Sequence, residues 1–163
     1  MTGPEIRKGF DDYPELRRKN RATVEQFMKT TGEARLRRHE LFTEEGSGSN
    51  WCNETGKPIL FEGRAKLEAL DKWVVKCFPD WQWCNVHIFE TLDPNHFWVE
   101  SDGRGKTRVP GYPEGYCENH YIHSFVLENG KIKSSREFMN PFQQLRGLGV
   151  AVPRINREGI PAS

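Results

Sequence analysis

Long apolar runs are missing from this 163-residue chain. No stretch approaches the ~20 residues that a membrane-spanning helix needs. Met1 to Phe10 carries no apolar segment of the signal-peptide kind. Both absences predict a cytoplasmic protein with no membrane partner. Net charge is nearly missing too. The 24 Lys and Arg against 23 Asp and Glu leave +1, so no strong field draws in nucleic acid or an anionic surface. Cysteine is sparse: Cys52, Cys77, Cys84 and Cys117. None forms a C-x-x-C pair and no histidine sits at zinc-finger spacing, which argues against a structural metal. The expectation is four free thiols, acting as small apolar residues in a reducing compartment. There is no internal repeat, low-complexity tract or linker, and the length suits one domain over residues 1–163.

Aromatic residues are present in quantity. They make up 12% of the chain, too many for a disordered segment. Several are expected to line a core or pocket. Pro14 opens a helix. Leu16, Thr23, Val24, Phe27 and Met28 then fall on one face as far as Lys29. A short second helix is expected from Glu33 to about His39. Trp51 to Pro58 reads as turn, and Ile59-Leu60-Phe61 as a short strand. Leu67, Leu70, Trp73, Val74 and Cys77 give an amphipathic third helix from about Arg64 to Cys77. Pro79 follows it. From Trp81 onward the period becomes two: a strand around Cys84–Ile88, the turn Asp93-Pro94-Asn95, and a strand from His96 to Ser101. A Gly- and Pro-rich loop is expected from Gly103 to Gly115, then strands Tyr116–Leu127 and Ile132–Met139 joined at Asn129-Gly130. Pro141 to Leu148 reads as a short closing helix. The first dozen and last ten residues read as irregular. Helices followed by antiparallel strands predict an α+β fold, with helices packed on one face of a curved sheet. Such a sheet can enclose a conical pocket.

Glu137 lies well inside a predicted strand, where Glu is uncommon. It is either an outward residue on a solvated strand or an inward acid/base. An inward carboxyl between apolar walls holds its proton more tightly, which suits it to donate and accept protons. A two-residue Asn129-Gly130 turn places Glu137 opposite Ile122, and a three-residue turn including Glu128 places it opposite Tyr121. The sequence leaves both registers open. Histidines fall at positions 39, 87, 96, 120 and 123. His120 and His123 cannot share a strand face at odd spacing, which weakens a metal pair. The basic runs Arg17-Arg18-Lys19-Asn20-Arg21 and Arg35 to Arg38 read as solvated helix faces offset by Glu15, Glu25, Glu33 and Glu40. One such arginine turned inward would bind a carboxylate. Asp102-Gly103-Arg104-Gly105-Lys106 lacks the strand–loop–helix setting of a phosphate loop and reads as a connecting loop.

Six strings in order along the chain carry a resemblance. They are Glu15-Leu16-Arg17-Arg18-Lys19-Asn20-Arg21, Lys76-Cys77-Phe78-Pro79-Asp80-Trp81, Asp93-Pro94-Asn95-His96-Phe97-Trp98-Val99-Glu100, Pro110-Gly111-Tyr112-Pro113-Glu114-Gly115-Tyr116, Arg136-Glu137-Phe138-Met139-Asn140 and Arg157-Glu158-Gly159-Ile160-Pro161. Together they resemble the phenazine biosynthesis A/B family. The resemblance implies a conical α+β barrel of the ketosteroid-isomerase and SnoaL kind, usually a homodimer. It also implies a place in phenazine antibiotic biosynthesis. There, two molecules of an amino-oxo-cyclohexene carboxylic acid condense through two imines to a tricyclic dicarboxylate, without redox or metal cofactor. The family's acid/base glutamate corresponds to Glu137 and its substrate-carboxylate arginine to Arg38. Trp81 falls in the aromatic floor. Catalytically competent members carry His and Ser four residues apart on the third helix. Leu70 and Val74 stand there in this chain, and Cys117 replaces a pocket tyrosine. That pattern is similar to the A-type copy found beside a B-type copy.

Two readings follow: a condensation enzyme, weakened by Leu70 and Val74, or a catalytically silent paralogue that binds the intermediate or pairs with the B-type copy. A protein-binding module of the nuclear-transport-factor kind, or an RNA binder using the helix arginines, is a third and weaker reading.

Overall fold

A computed structural model describes residues 12–161; the expected irregular segment through residue 11 lies outside them. Helix α1 spans Pro14–Lys29, with Pro14 at its first turn. A 3-10 segment, Gly32–Leu41, takes the place of the expected second helix. Strands β1 (Phe42–Asn50) and β2 (Ile59–Glu62) precede helix α2, Arg64–Cys77. Strands β3 (Gln82–Glu90), β4 (His96–Thr107), β5 (Gly115–Glu128) and β6 (Lys131–Met139) follow, and α3 (Pro141–Gly147) closes the order. Residues 154–161 form no helix or strand, as expected.

The six strands form one curved sheet in the order β2-β1-β6-β5-β4-β3, and the sheet stays open. All neighbours are antiparallel except β1 and β6, which run parallel. This is the expected α+β arrangement with one difference: β1 inserts an early strand into the middle of the sheet. Burial alternates along β4 and β5. Phe97, Val99, Phe125, Leu127 and Ile132 therefore share the inner face, where Val24, Met28, Phe42 and Leu67 pack on them. Each such side chain contributes roughly 1.5–3 kcal/mol on burial. At the other end of the inner face, Trp81, Cys117 and Tyr121 form a second cluster.

Strand β4 runs six residues beyond the expected end at Ser101, into the first part of the stretch read as a loop; residues 108–114 stay outside any strand, as expected. Gly103 explains the difference. A Cβ there would lie 2.5 Å from the Trp81 ring and 2.7 Å from the Trp83 ring. Glycine in this strand marks a close approach of aromatic side chains, not a turn.

Two bulges set which side chains face inward. In β3, Cys84 pairs with Asp102 but His87 with Glu100, with Asn85 at φ 50°. The extra residue breaks the expected alternation and lets Trp83 and Ile88 both pack against the inner core. In the β5–β6 hairpin, Leu127 pairs with Ile132 but Val126 with Ser134, leaving Lys133 as the extra residue. Glu137 therefore faces His123, not Ile122 or Tyr121. The two-residue turn, with Glu128 opposite Lys131, excludes the Tyr121 register, and the bulge moves Glu137 one residue on from Ile122 to His123.

Candidate active site

The concave side of the sheet, α2, the 3-10 segment and α3 enclose a cavity of about 630 Å³. That size suits a small organic ligand, for which pockets run roughly 300–1,000 Å³. Glu137, Arg38, Leu70, Val74, Trp81 and Cys117 all line it.

Glu137 enters from β6 with its side chain 32% exposed. Its Oε1 accepts a hydrogen bond from Asn50 Nδ2 at 3.1 Å. The Asn50 amide is oriented by its other end, since Oδ1 accepts from Cys52 N at 3.2 Å. Glu137 Oε2 lies 3.2 Å from His123 Nε2. The His123 side chain is only 4% exposed, and its Nδ1 is buried without a hydrogen-bond partner. Glu137 points inward, and its carboxyl has two polar neighbours, not apolar walls alone. Sequence reasoning missed His123 and Asn50 as part of the site. The inward phase of β5 at Tyr121 and Phe125 is a signal that places His123. Nothing in the Gly- and Ser-rich stretch before Asn50 marks it.

Arg38 enters from the opposite wall. Its Nε donates to Thr30 Oγ1 at 2.6 Å and its Nη2 to Thr30 O at 3.0 Å. The guanidinium sits 4.7 Å over the Phe27 ring. Burial, then the neighbouring Arg35 charge, pushes its pKa down to about 10, against the pull of Asp71 and Glu137. It remains a cation at neutral pH. Nη1 makes no hydrogen bond to the described residues, which leaves a donor for a ligand carboxylate.

The basic runs thus divide. Arg18, Arg21 and Arg37 sit in exposed or partly exposed pairs with Glu15, Glu25 and Glu40, as expected for solvated faces. Arg17, Arg35 and Arg38 are buried. Arg17 donates to Thr91 O and Leu92 O. Arg35 donates to Phe78 O and Pro79 O. Both hold backbone turns.

Trp81 lies in an edge-on aromatic cluster, 5.6 Å from Phe78, 5.7 Å from Trp83 and 5.9 Å from Tyr121 between ring centroids. Tyr121 is held well above the ordinary phenol range, chiefly by burial and then by the Glu137 charge, so its hydroxyl stays protonated. Burial, with help from Glu118, also pushes the Cys117 thiol up. Cys117 presents an inert, neutral group. All four cysteines are free. Leu70 and Val74 bring only hydrocarbon to the α2 wall. Between them in sequence, Asp71 also lines the cavity and accepts from His39 N and lies against His39 Nδ1. Among the described residues no three His, Cys, Asp or Glu side chains are placed to hold a metal. Nor is any helix among them long and apolar enough to cross a membrane.

The chain as a whole has known counterparts. The profile of the phenazine biosynthesis protein A/B family matches residues 1–162. The chain belongs to that family. It is 71% identical over all 163 residues to phenazine biosynthesis protein PhzA of Pseudomonas fluorescens, covering 100% of both chains. The crystal structure of the phenazine biosynthesis-related protein PhzB2 from Pseudomonas aeruginosa superposes with a TM-score of 0.92 at 61% identity, covering 96% of this chain and 97% of that one. A SnoaL-like polyketide cyclase from Jannaschia shares the fold, with a TM-score of 0.67 at 17% identity over 88% of this chain and 100% of that chain. The chain therefore has a role in phenazine biosynthesis, on a SnoaL-like fold.

Proposed function

We propose that this family member promotes the ring-forming condensation of two amino-oxo-cyclohexene carboxylic acid molecules, with Glu137 as acid/base and Arg38 as the carboxylate anchor. The observation that carries the proposal is their convergence. A buried cation with a free donor and a carboxyl beside an imidazole enter one cavity from opposite walls. Imine formation needs two things from a protein. The partners must be held together, which lowers the entropic barrier. The carbinolamine hydroxyl must gain a proton to leave as water. Arg38 supplies the first through a substrate carboxylate, and the rings of Trp81 and Tyr121 bound the space beside it. Glu137 supplies the second, positioned by Asn50 and His123.

Leu70 and Val74 favour a second reading, in which the cavity binds the intermediate with little catalysis. Neither side chain can move a proton, and both leave the α2 wall dry. The outer face of the sheet, where Trp51 and Ile122 are exposed, suits contact with a second copy or with a B-type relative. Four free thiols fit a reducing cytoplasm. The 71% identity to a PhzA protein supports assignment as the A-type copy.

The decisive experiment generates the amino-ketone in situ and follows tricycle formation with wild type, Glu137→Gln and buffer. The enzyme reading predicts wild type above buffer and Glu137→Gln lower by roughly two to four powers of ten in the protein-dependent rate. Wild type equal to buffer, with tight binding of a tricyclic analogue, selects the binding reading.

A further inference from the structure

Two dehydrations are needed to close the central ring, and the two carbinolamine centres lie on opposite edges of that ring. One fixed carboxyl reaches one of them. The cavity contains a second carboxyl in a similar setting. Asp71 on α2 lines the cavity, and its side chain is 13% exposed. Oδ2 accepts from His39 N at 2.8 Å and lies 2.9 Å from His39 Nδ1. Oδ1 takes no hydrogen bond from the described residues. His39 is itself half-buried at the end of the 3-10 segment. The pair repeats, on the helical wall, the carboxyl–imidazole contact that Glu137 and His123 make on the sheet wall. Both carboxylates act on the charge of Arg38.

We infer that Asp71, held by His39, is the second proton-transfer group of the cavity and serves the dehydration that Glu137 does not reach. The inference rests on the condensation reading. The step balances within the pair and its substrate. The Asp71 carboxyl gives its proton to the carbinolamine oxygen. The C–O bond breaks and water leaves, while the nitrogen lone pair forms the C=N bond. The carboxylate then takes the N–H proton, which restores it. Burial favours this use, since it pushes the Asp71 carboxyl above the usual range against the hydrogen bonds from His39 and the charge of Arg38. The charged and titratable groups facing Asp71 are His39, Arg38 and Arg35 from the 3-10 segment, and Glu137 lines the same cavity. Leu70 and Val74 add none. The α2 wall is therefore less inert than those two substitutions suggest.

Two measurements on the full-length protein test the inference. The first compares Asp71→Asn with wild type, trapping intermediates by borohydride reduction and mass spectrometry. Asp71→Asn is expected to lower the protein-dependent rate of tricycle formation by roughly tenfold or more. It should accumulate the singly condensed adduct and bind a stable tricyclic dicarboxylate within about twofold of wild type. An unchanged rate and no trapped adduct, with Glu137→Gln still impaired, overturns the inference but leaves the condensation reading standing. Wild type no faster than buffer overturns both. The second measurement needs no variant, so a poorly folded Asp71→Asn leaves the inference exposed to it. Carbonyl-13C NMR of wild type is expected to show Asp71 titrating above the ordinary aspartate midpoint and moving when the dicarboxylate binds. An Asp71 signal blind to the ligand overturns the inference.

Discussion

Strand β5 carries two histidines three residues apart, and each meets carboxylates, yet the two settings differ in almost every physical respect. His123 points into the cavity, is 4% exposed, and faces Glu137 alone. His120 points outward, is 55% exposed, and lies 2.8 Å from Asp102 Oδ1 and 3.1 Å from Glu100 Oε1. Asp102 and then Glu100 hold the His120 imidazole above its usual range. The outer cluster is a solvated ion pair of the kind that contributes little. The inner pair lines the cavity, where a ligand can reach it. Chemistry follows from the face of the strand as much as from the residue types.

That contrast can be broken or sharpened by substitution. The largest effect is expected at Arg38. Arg38→Met removes the proposed cationic anchor and should weaken binding of a tricyclic dicarboxylate by about 2–5 kcal/mol in titration calorimetry. Arg38→Lys should not restore it, because the Nε and Nη2 bonds to Thr30 need a guanidinium. Next comes His123→Gln, which keeps a hydrogen-bond donor near Glu137 but removes the titratable ring. It should lower kcat roughly tenfold with little change in analogue affinity. Leu70→His combined with Val74→Ser should raise the protein-dependent rate several-fold, and no gain would mean that the α2 wall is not limiting. The smallest effect is expected outside. His120→Ala should leave condensation unchanged. It should lower Tm only at acidic pH. A histidine whose folded pKa is raised contributes in full below its unfolded value near 6.5, and that contribution disappears as pH rises through the folded value. A rate loss in His120→Ala would break the division between the two faces.

Much of the fold was legible because period and punctuation agreed. The spacing of Leu67, Leu70, Trp73, Val74 and Cys77 marked α2 to its observed ends, and Asn129-Gly130 marked the last hairpin. Strand β1 was not legible. Thr43-Glu44-Glu45-Gly46-Ser47-Gly48-Ser49-Asn50 has almost no strand propensity. It forms a strand because β6 and β2 pair with it on both sides, and because Gly46 has room for nothing larger: a Cβ there would meet Ile132 O at 2.9 Å. Glu137 was marked by its place inside a strand and again by family resemblance; Arg38, Leu70, Val74, Trp81 and Cys117 came from the resemblance, and the structure gathers all six around one cavity. His123, Asn50 and Asp71 did not come that way. His123 reaches Glu137 only through the bulge at Lys133, which no propensity announces. Asn50 belongs to the strand the sequence hides. Asp71 has the appearance of a polar helix residue until the 3-10 segment brings His39 onto it.

The proposed condensation depends on Glu137 touching the reacting atoms while Arg38 holds a carboxylate. A crystal structure with a stable tricyclic dicarboxylate bound tests this most directly. The expected complex has one ligand carboxylate on Arg38 Nη1 and a central-ring nitrogen or its neighbouring carbon substituent within about 3 Å of a Glu137 oxygen. A ligand seated outside the cavity, or inside it with Glu137 turned away toward solvent, would contradict the account.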